Sequence, residues 1–105
     1  MIEFHVTYSG MDQASAAARS AVDARLAACA NIVEKVRSIY RWQGRIEDEN
    51  EILAIFKTSD ARADELGEFL RANHPYDTPA ILRHSGISAN ADYERWIEQE
   101  TGISS

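Results

Sequence analysis

The sequence holds one cysteine among its 105 residues, so no disulfide can close within the chain, which agrees with a reducing compartment. No apolar stretch approaches the ~18 residues that a membrane-crossing helix needs, and the first residues lack the basic lead of a secretory signal. Cytoplasm is therefore the expected location, with no membrane insertion. No run of neighbouring Lys or Arg exceeds two, and the formal net charge is −6. A nucleic-acid partner lacks its electrostatic footprint. Also missing are a phosphate-cradling glycine loop, a nucleophile elbow and an HExxH pair. A catalyst is not expected.

Apolar residues make up 45% of the chain, enough for one core. A single domain spanning residues 1–105 is expected, burying roughly 65% of its unfolded surface. No internal repeat or linker suggests a second unit.

Ile2 to Tyr8 reads as a strand of β-branched and aromatic residues, broken by Ser9-Gly10. Asp12 is a plausible cap for a helix in which Ala14, Ala18, Val22, Leu26 and Cys29 recur at helical spacing. From Ile32 to Gln43 the period changes to two, with Tyr40 and Trp42 on one face and Ile39 and Arg41 on the other. Gly44-Arg45 turns the chain into an apolar strand, Glu51 to Lys57. The acidic run Glu47-Asp48-Glu49 reads as a solvated strand end or bulge. Asp60 to Ala72 is a helix with Leu66, Phe69 and Leu70 inward; His74 to Pro79 is a loop, and Ala80 to His84 a short strand. Asn90 to Glu100 is a last helix with Tyr93, Trp96 and Ile97 on one stripe, stopped near Gly102. The expected class is α+β, a ferredoxin-like β-α-β-β-α-β sandwich with an extended central hairpin and a C-terminal helix.

The hairpin points to assembly. A strand of about 12 residues spans about 40 Å at a rise of ~3.3 Å each, whereas a domain of this size has a radius of gyration near ~13 Å. An overhanging ribbon bearing Tyr40 and Trp42 is expected to pair with another copy.

Several segments together resemble the divalent-cation tolerance family CutA. They are Arg25-Leu26-Ala27-Ala28-Cys29 with Asn31-Ile32, Ser38-Ile39-Tyr40-Arg41-Trp42, Gly44 with Ile46, Lys57-Thr58, His74-Pro75-Tyr76, Tyr93 and Trp96-Ile97. The resemblance covers nearly the whole chain. It implies a ferredoxin-like fold, a homotrimer joined through the long hairpins, and a role in tolerance of copper and other divalent metals. No cofactor is required; Cu(II) or another divalent cation is the candidate ligand.

Two residues stand out as candidate metal ligands. Cys29 offers a soft thiolate, although its place on an apolar helix face with Leu26 and Val22 also suits a core residue. His74 offers an imidazole beside a proline, or else pins its loop. Some family members carry a second cysteine near the end of the first strand, a second histidine before the Pro-Tyr pair, and a glutamate after the second proline. Here Val6 to Ser9 hold no cysteine, and Asn73 and Ala80 stand at the other two positions. A Cys29–His74 hydrolase pair would need an exposed thiol. His5 and His84 fall on opposite terminal strands, and two imidazoles with a Glu or Asp would satisfy zinc-like chemistry. Tyr40, Trp42, Lys57, Tyr76 and Trp96 are candidates for an inter-subunit cleft or interface. Two functional readings follow. One is a homotrimer of the metal-tolerance type; the other is a small-ligand or signalling module that uses clefts between subunits.

Overall fold

The computed structural model describes residues 1–102. Four strands form one antiparallel sheet in the order β2-β3-β1-β4, namely β1 (Ile2–Tyr8), β2 (Cys29–Trp42), β3 (Arg45–Thr58) and β4 (Ile81–His84). Helices α1 (Met11–Asp23) and α2 (Ala63–Ala72) follow β1 and β3, and α3 (Ala91–Thr101) closes the chain. This is the expected ferredoxin-like arrangement with its C-terminal helix.

Alternation along β1 sorts its residues between two faces. Ile2, Phe4, Val6 and Tyr8 are buried, and with Ala54 and Phe56 of β3 they meet Ala14, Ala18 and Ala21 of α1 and Leu66 and Leu70 of α2. Small residues bring the layers close; a Cβ on Gly67 would already touch the Phe4 ring at 3.4 Å. Glu3, His5 and Thr7 point to the other face, which α3 covers only at one end.

Several boundaries differ from the sequence expectation. Helix α1 ends at Asp23, not Cys29, and Gly10 rather than Asp12 is its N-cap. Arg25 takes a left-handed φ of 60°, and the Leu26 amide donates back to the Ala21 carbonyl, so the chain turns without a glycine. Cys29 is consequently the first residue of β2 and is half-buried there, not on a helix. The run Glu47-Asp48-Glu49 is regular ladder, paired with Tyr40, Ile39 and Ser38. The bulge lies on the opposite strand, between Val33 and Val36, where Lys35 has φ 61°. A short 3-10 turn, Asp60–Arg62, precedes α2.

Both hairpin strands run 14 residues, against seven for β1. Beyond the Tyr8–Ile52 pair, β3 is bonded to β2 alone, so the hairpin leaves the sheet as a two-stranded ribbon. The molecule measures 49 × 25 × 20 Å as a result. Gln43 and Gly44 at its tip have φ of 50° and 79°, the two left-handed residues of a tight two-residue hairpin turn.

Candidate functional site

Three side-chain clusters and the ribbon carry the residues singled out by the sequence. The first cluster sits where the ribbon leaves the sheet. His74 Nε2–H donates to the Thr7 carbonyl at 2.8 Å, and Nδ1 accepts from the Tyr76 amide at 3.1 Å. The pair of bonds specifies the tautomer with its proton on Nε2 and engages both ring nitrogens. Tyr8 stacks on the imidazole with ring centres 4.5 Å apart, and Tyr76 meets its edge at 4.6 Å. The Tyr76 hydroxyl donates to Glu51 at 2.9 Å, satisfying a carboxylate only 8% exposed. Burial, the bond to Glu51 and the Glu51 charge push Tyr76 up to about 12. Burial does the same to Tyr8, also to about 12.

The second cluster lies at the other end of the sheet. Cys29 faces Lys57, which in turn faces Glu3 across the next strand pair. The Cys29 thiol and Tyr93 hydroxyl share a hydrogen bond at 3.4 Å. That bond and then burial raise Tyr93 to about 12, with the Cys29 and Glu3 charges adding to it. Lys57 Nζ lies 5.6 Å from the centre of the Tyr93 ring, a cation–π distance, and Trp96 stacks on Tyr93 at 5.7 Å. Of the cleft candidates, Lys57 and Trp96 thus meet through Tyr93.

Cys29 and His74 do not form one site. The first is level with Glu3 and the second is bonded to Thr7, four residues along β1, or about 13 Å at ~3.3 Å each. Neither a joint metal site nor a thiol–imidazole pair follows from such a spacing.

The third cluster joins His5 and His84. Strand β1 lies inside the sheet rather than at its edge, and it pairs directly with β4. The two rings therefore approach to 4.3 Å, and His5 Nε2 lies 3.0 Å from Glu3 Oε1. Among the described residues, no three or more His, Cys, Asp and Glu side chains are placed to hold a metal ion.

Tyr40 and Trp42 stand out on the ribbon, 39% and 46% exposed, with Ile39 and Ile46 on the opposite face at 62% and 61%. Loss of solvent and then the carboxylates of Glu49, Glu51 and Glu47 raise the Tyr40 pKa. Glu51 and Glu49 also act on Tyr76, so Tyr40 shares acidic neighbours with the ribbon base. Sequence reasoning missed Glu51, Tyr8 and Glu3 as members of these clusters. Only the cross-strand register brings them there.

Residues 2–100 match the sequence profile of a family described as CutA1 divalent ion tolerance protein. The chain belongs to that family. A CutA divalent-cation tolerance protein of Pyrococcus horikoshii is 39% identical over 101 residues, 96% of this chain and 98% of its own length. The mouse protein CutA is 38% identical over 84 residues, 80% of this chain but 48% of its own length. Among solved structures, CutA1 of Pyrococcus horikoshii superposes with a TM-score of 0.92 at 37% identity, covering 98% of this chain and 100% of that one. CutA1 of Thermus thermophilus gives 0.89 at 37% identity, with 97% and 100% covered. The CutA1 family places the chain in divalent-cation tolerance. No helix among the described residues is long and apolar enough to cross a membrane.

Proposed function

We propose that this chain serves divalent-cation tolerance as a homotrimer held together by its β2–β3 ribbons. The observation that carries this reading is the ribbon itself: two strands without a third, with exposed Ile39, Tyr40, Trp42 and Ile46 on both faces. A monomer would leave those strand edges and apolar side chains in water, a template for pairing. The four-residue strand β4 offers a free edge on the far side of the same sheet. A ribbon from one copy and an edge from the next make a head-to-tail contact, which closes into a ring when the rotation permits. The count of three follows the family resemblance.

Copper or another divalent cation is the proposed ligand class, bound weakly and without becoming a resident cofactor. His74 and Cys29 act in this proposal as structural groups, since one has both nitrogens engaged and the other is hydrogen-bonded to the Tyr93 hydroxyl. A second reading, a small-ligand module using clefts between subunits, draws on the Lys57–Tyr93–Trp96 cluster. It offers a cation held over one aromatic ring, with a second, half-exposed ring stacked beside it. The proposed location is the cytoplasm.

Light scattering tests the assembly. The expected mass is about three times the 11.8 kDa chain, independent of dilution through the micromolar range. A monomer at those concentrations overturns it.

A further inference from the structure

We propose that the Tyr76 phenol is a latch that fixes the angle at which the β2–β3 ribbon leaves the sheet, and that joining of the copies depends on it. The latch lies inside the protomer and needs no open surface. Its consequence for assembly rests on the ribbon-joined trimer proposed above.

The fork where ribbon and sheet part is weakly held by its own ladder. Ile52 makes the last pair with β1, opposite Tyr8. On its other flank, β2 sets two residues, Glu34 and Lys35, opposite Ile52 alone, and Lys35 holds a left-handed φ of 61°. Such a bulge bends its strand and interrupts the pairing. Regular pairing therefore ends on one side of Ile52 and is broken on the other. The next residue outward, Glu51, begins a two-stranded ribbon, which twists more strongly than a wider sheet.

A small change at the fork is large at the tip. Gly44 lies about 23 Å from Glu51 along the strand, at ~3.3 Å per residue. A tilt of roughly 10° at Glu51 moves the tip by about 4 Å, close to the ~4.8 Å between paired strands. Backbone hydrogen bonds hold over only a few tenths of an ångström. A ribbon displaced that far loses its bonds to an edge on the next copy.

The loop after α2 supplies the missing constraint. It is anchored on the body of the domain: the Asn73 side-chain amide donates to the Phe69 carbonyl, and His74 Nε2–H to the Thr7 carbonyl, both at 2.8 Å. Nδ1 of the same ring accepts from the Tyr76 amide at 3.1 Å, and Pro75 between them has a fixed φ. The phenol then donates to Glu51, the first ribbon residue, at 2.9 Å. With Glu51 only 8% exposed, this is a charge-assisted bond that water cannot readily replace. Apolar packing at the fork would be non-directional. A hydrogen bond fixes distance and angle, as a latch requires.

The test is a distance measured within one chain by pulsed electron paramagnetic resonance. Nitroxides at Arg45→Cys near the tip and Glu68→Cys on α2, both exposed positions, are placed in a Cys29→Ser background. Labelled chains are refolded with an excess of unlabelled ones, so that each assembly carries one pair. The parent should give one narrow distance. Tyr76→Phe should shift or broaden it by about 4 Å and bring dissociation in light scattering at a concentration at least tenfold higher than in the parent. Glu51→Gln keeps an acceptor for the phenol and should retain the parent distance. Tyr76→Phe combined with Glu51→Met removes both polar groups, so folding stability should recover while the distance stays broad. That variant also serves if Tyr76→Phe alone folds poorly. A distance unchanged in Tyr76→Phe, or restored in the double variant, overturns the latch. A parent that is monomeric overturns the trimer instead, and the intrachain distance still decides the latch.

Discussion

Replacing His74 by alanine removes a donor to the Thr7 carbonyl, an acceptor for the Tyr76 amide and the ring stacked on Tyr8. The expected cost is about 1–3 kcal/mol, read from chemical denaturation at fixed protomer concentration. Cu(II) affinity should not change, because both nitrogens already have partners. Tyr76→Phe leaves the buried Glu51 carboxylate without its donor and should cost about as much. The phenols also give the protein an alkaline limit. Tyr8, Tyr76 and Tyr93 are each raised to about 12 from an ordinary value of 10.0. The folded chain therefore keeps these protons where the unfolded chain has begun to lose them. Their contribution is complete below pH 10 and declines as pH rises toward about 12. Denaturation midpoints should be flat from neutral pH to about 9.5 and then fall, less steeply in Tyr8→Phe. Midpoints that hold steady to pH 12 would refute this. The sequence made His74 and Tyr76 visible through the proline-bounded loop, but it gave no hint of Thr7, Tyr8 or Glu51 as partners. Those contacts depend on how a loop returns over the end of β1, which no local pattern encodes.

At the scale of elements, the period-two pattern from Ile32 to Gln43 was readable, including the shared face of Tyr40 and Trp42. The end of α1 was not. Alanines at helical spacing continue past Asp23, and the stop comes from a left-handed Arg25, a residue with no special preference for that conformation. Tertiary packing decides there, since Leu26 and Ala27 are buried under the sheet edge and the Leu26 carbonyl accepts from buried Thr58 at 2.7 Å. The turn at the ribbon tip obeys local rules more closely. Gly44→Ala places a Cβ at φ 79° and should cost about 1 kcal/mol. Gln43→Asn, better suited to its left-handed position, should raise stability by a few tenths of a kcal/mol. Trp42→Ala retains the ladder but removes a large exposed aromatic. If ribbons join the subunits, it should weaken assembly by about 2–4 kcal/mol, seen as dissociation on dilution in sedimentation velocity. Dissociation identical to the unmodified protein would place Trp42 outside the interface.

The whole molecule separates folding from assembly along its length. No fully buried apolar residue lies between Ala28 and Ala54, so the core forms from β1, α1, α2 and the inner ends of β2 and β3. The outer ribbon adds length without adding core. It can therefore be removed. Arg37 and Asn50 are paired neighbours, and a two-residue Asn-Gly turn joining them would close the hairpin where the ribbon begins. The shortened chain loses the Arg37–Asp48 ion pair, an exposed contact worth little to stability. It retains Glu51 and its bond from Tyr76. It should fold with the same helix content and a cooperative thermal transition, yet run as a monomer in light scattering. A shortened protein that still assembles as a trimer would show that another surface holds the copies together. The open sheet face around Leu82 and Val33, 53% and 45% exposed, would then be the surface to mutate next.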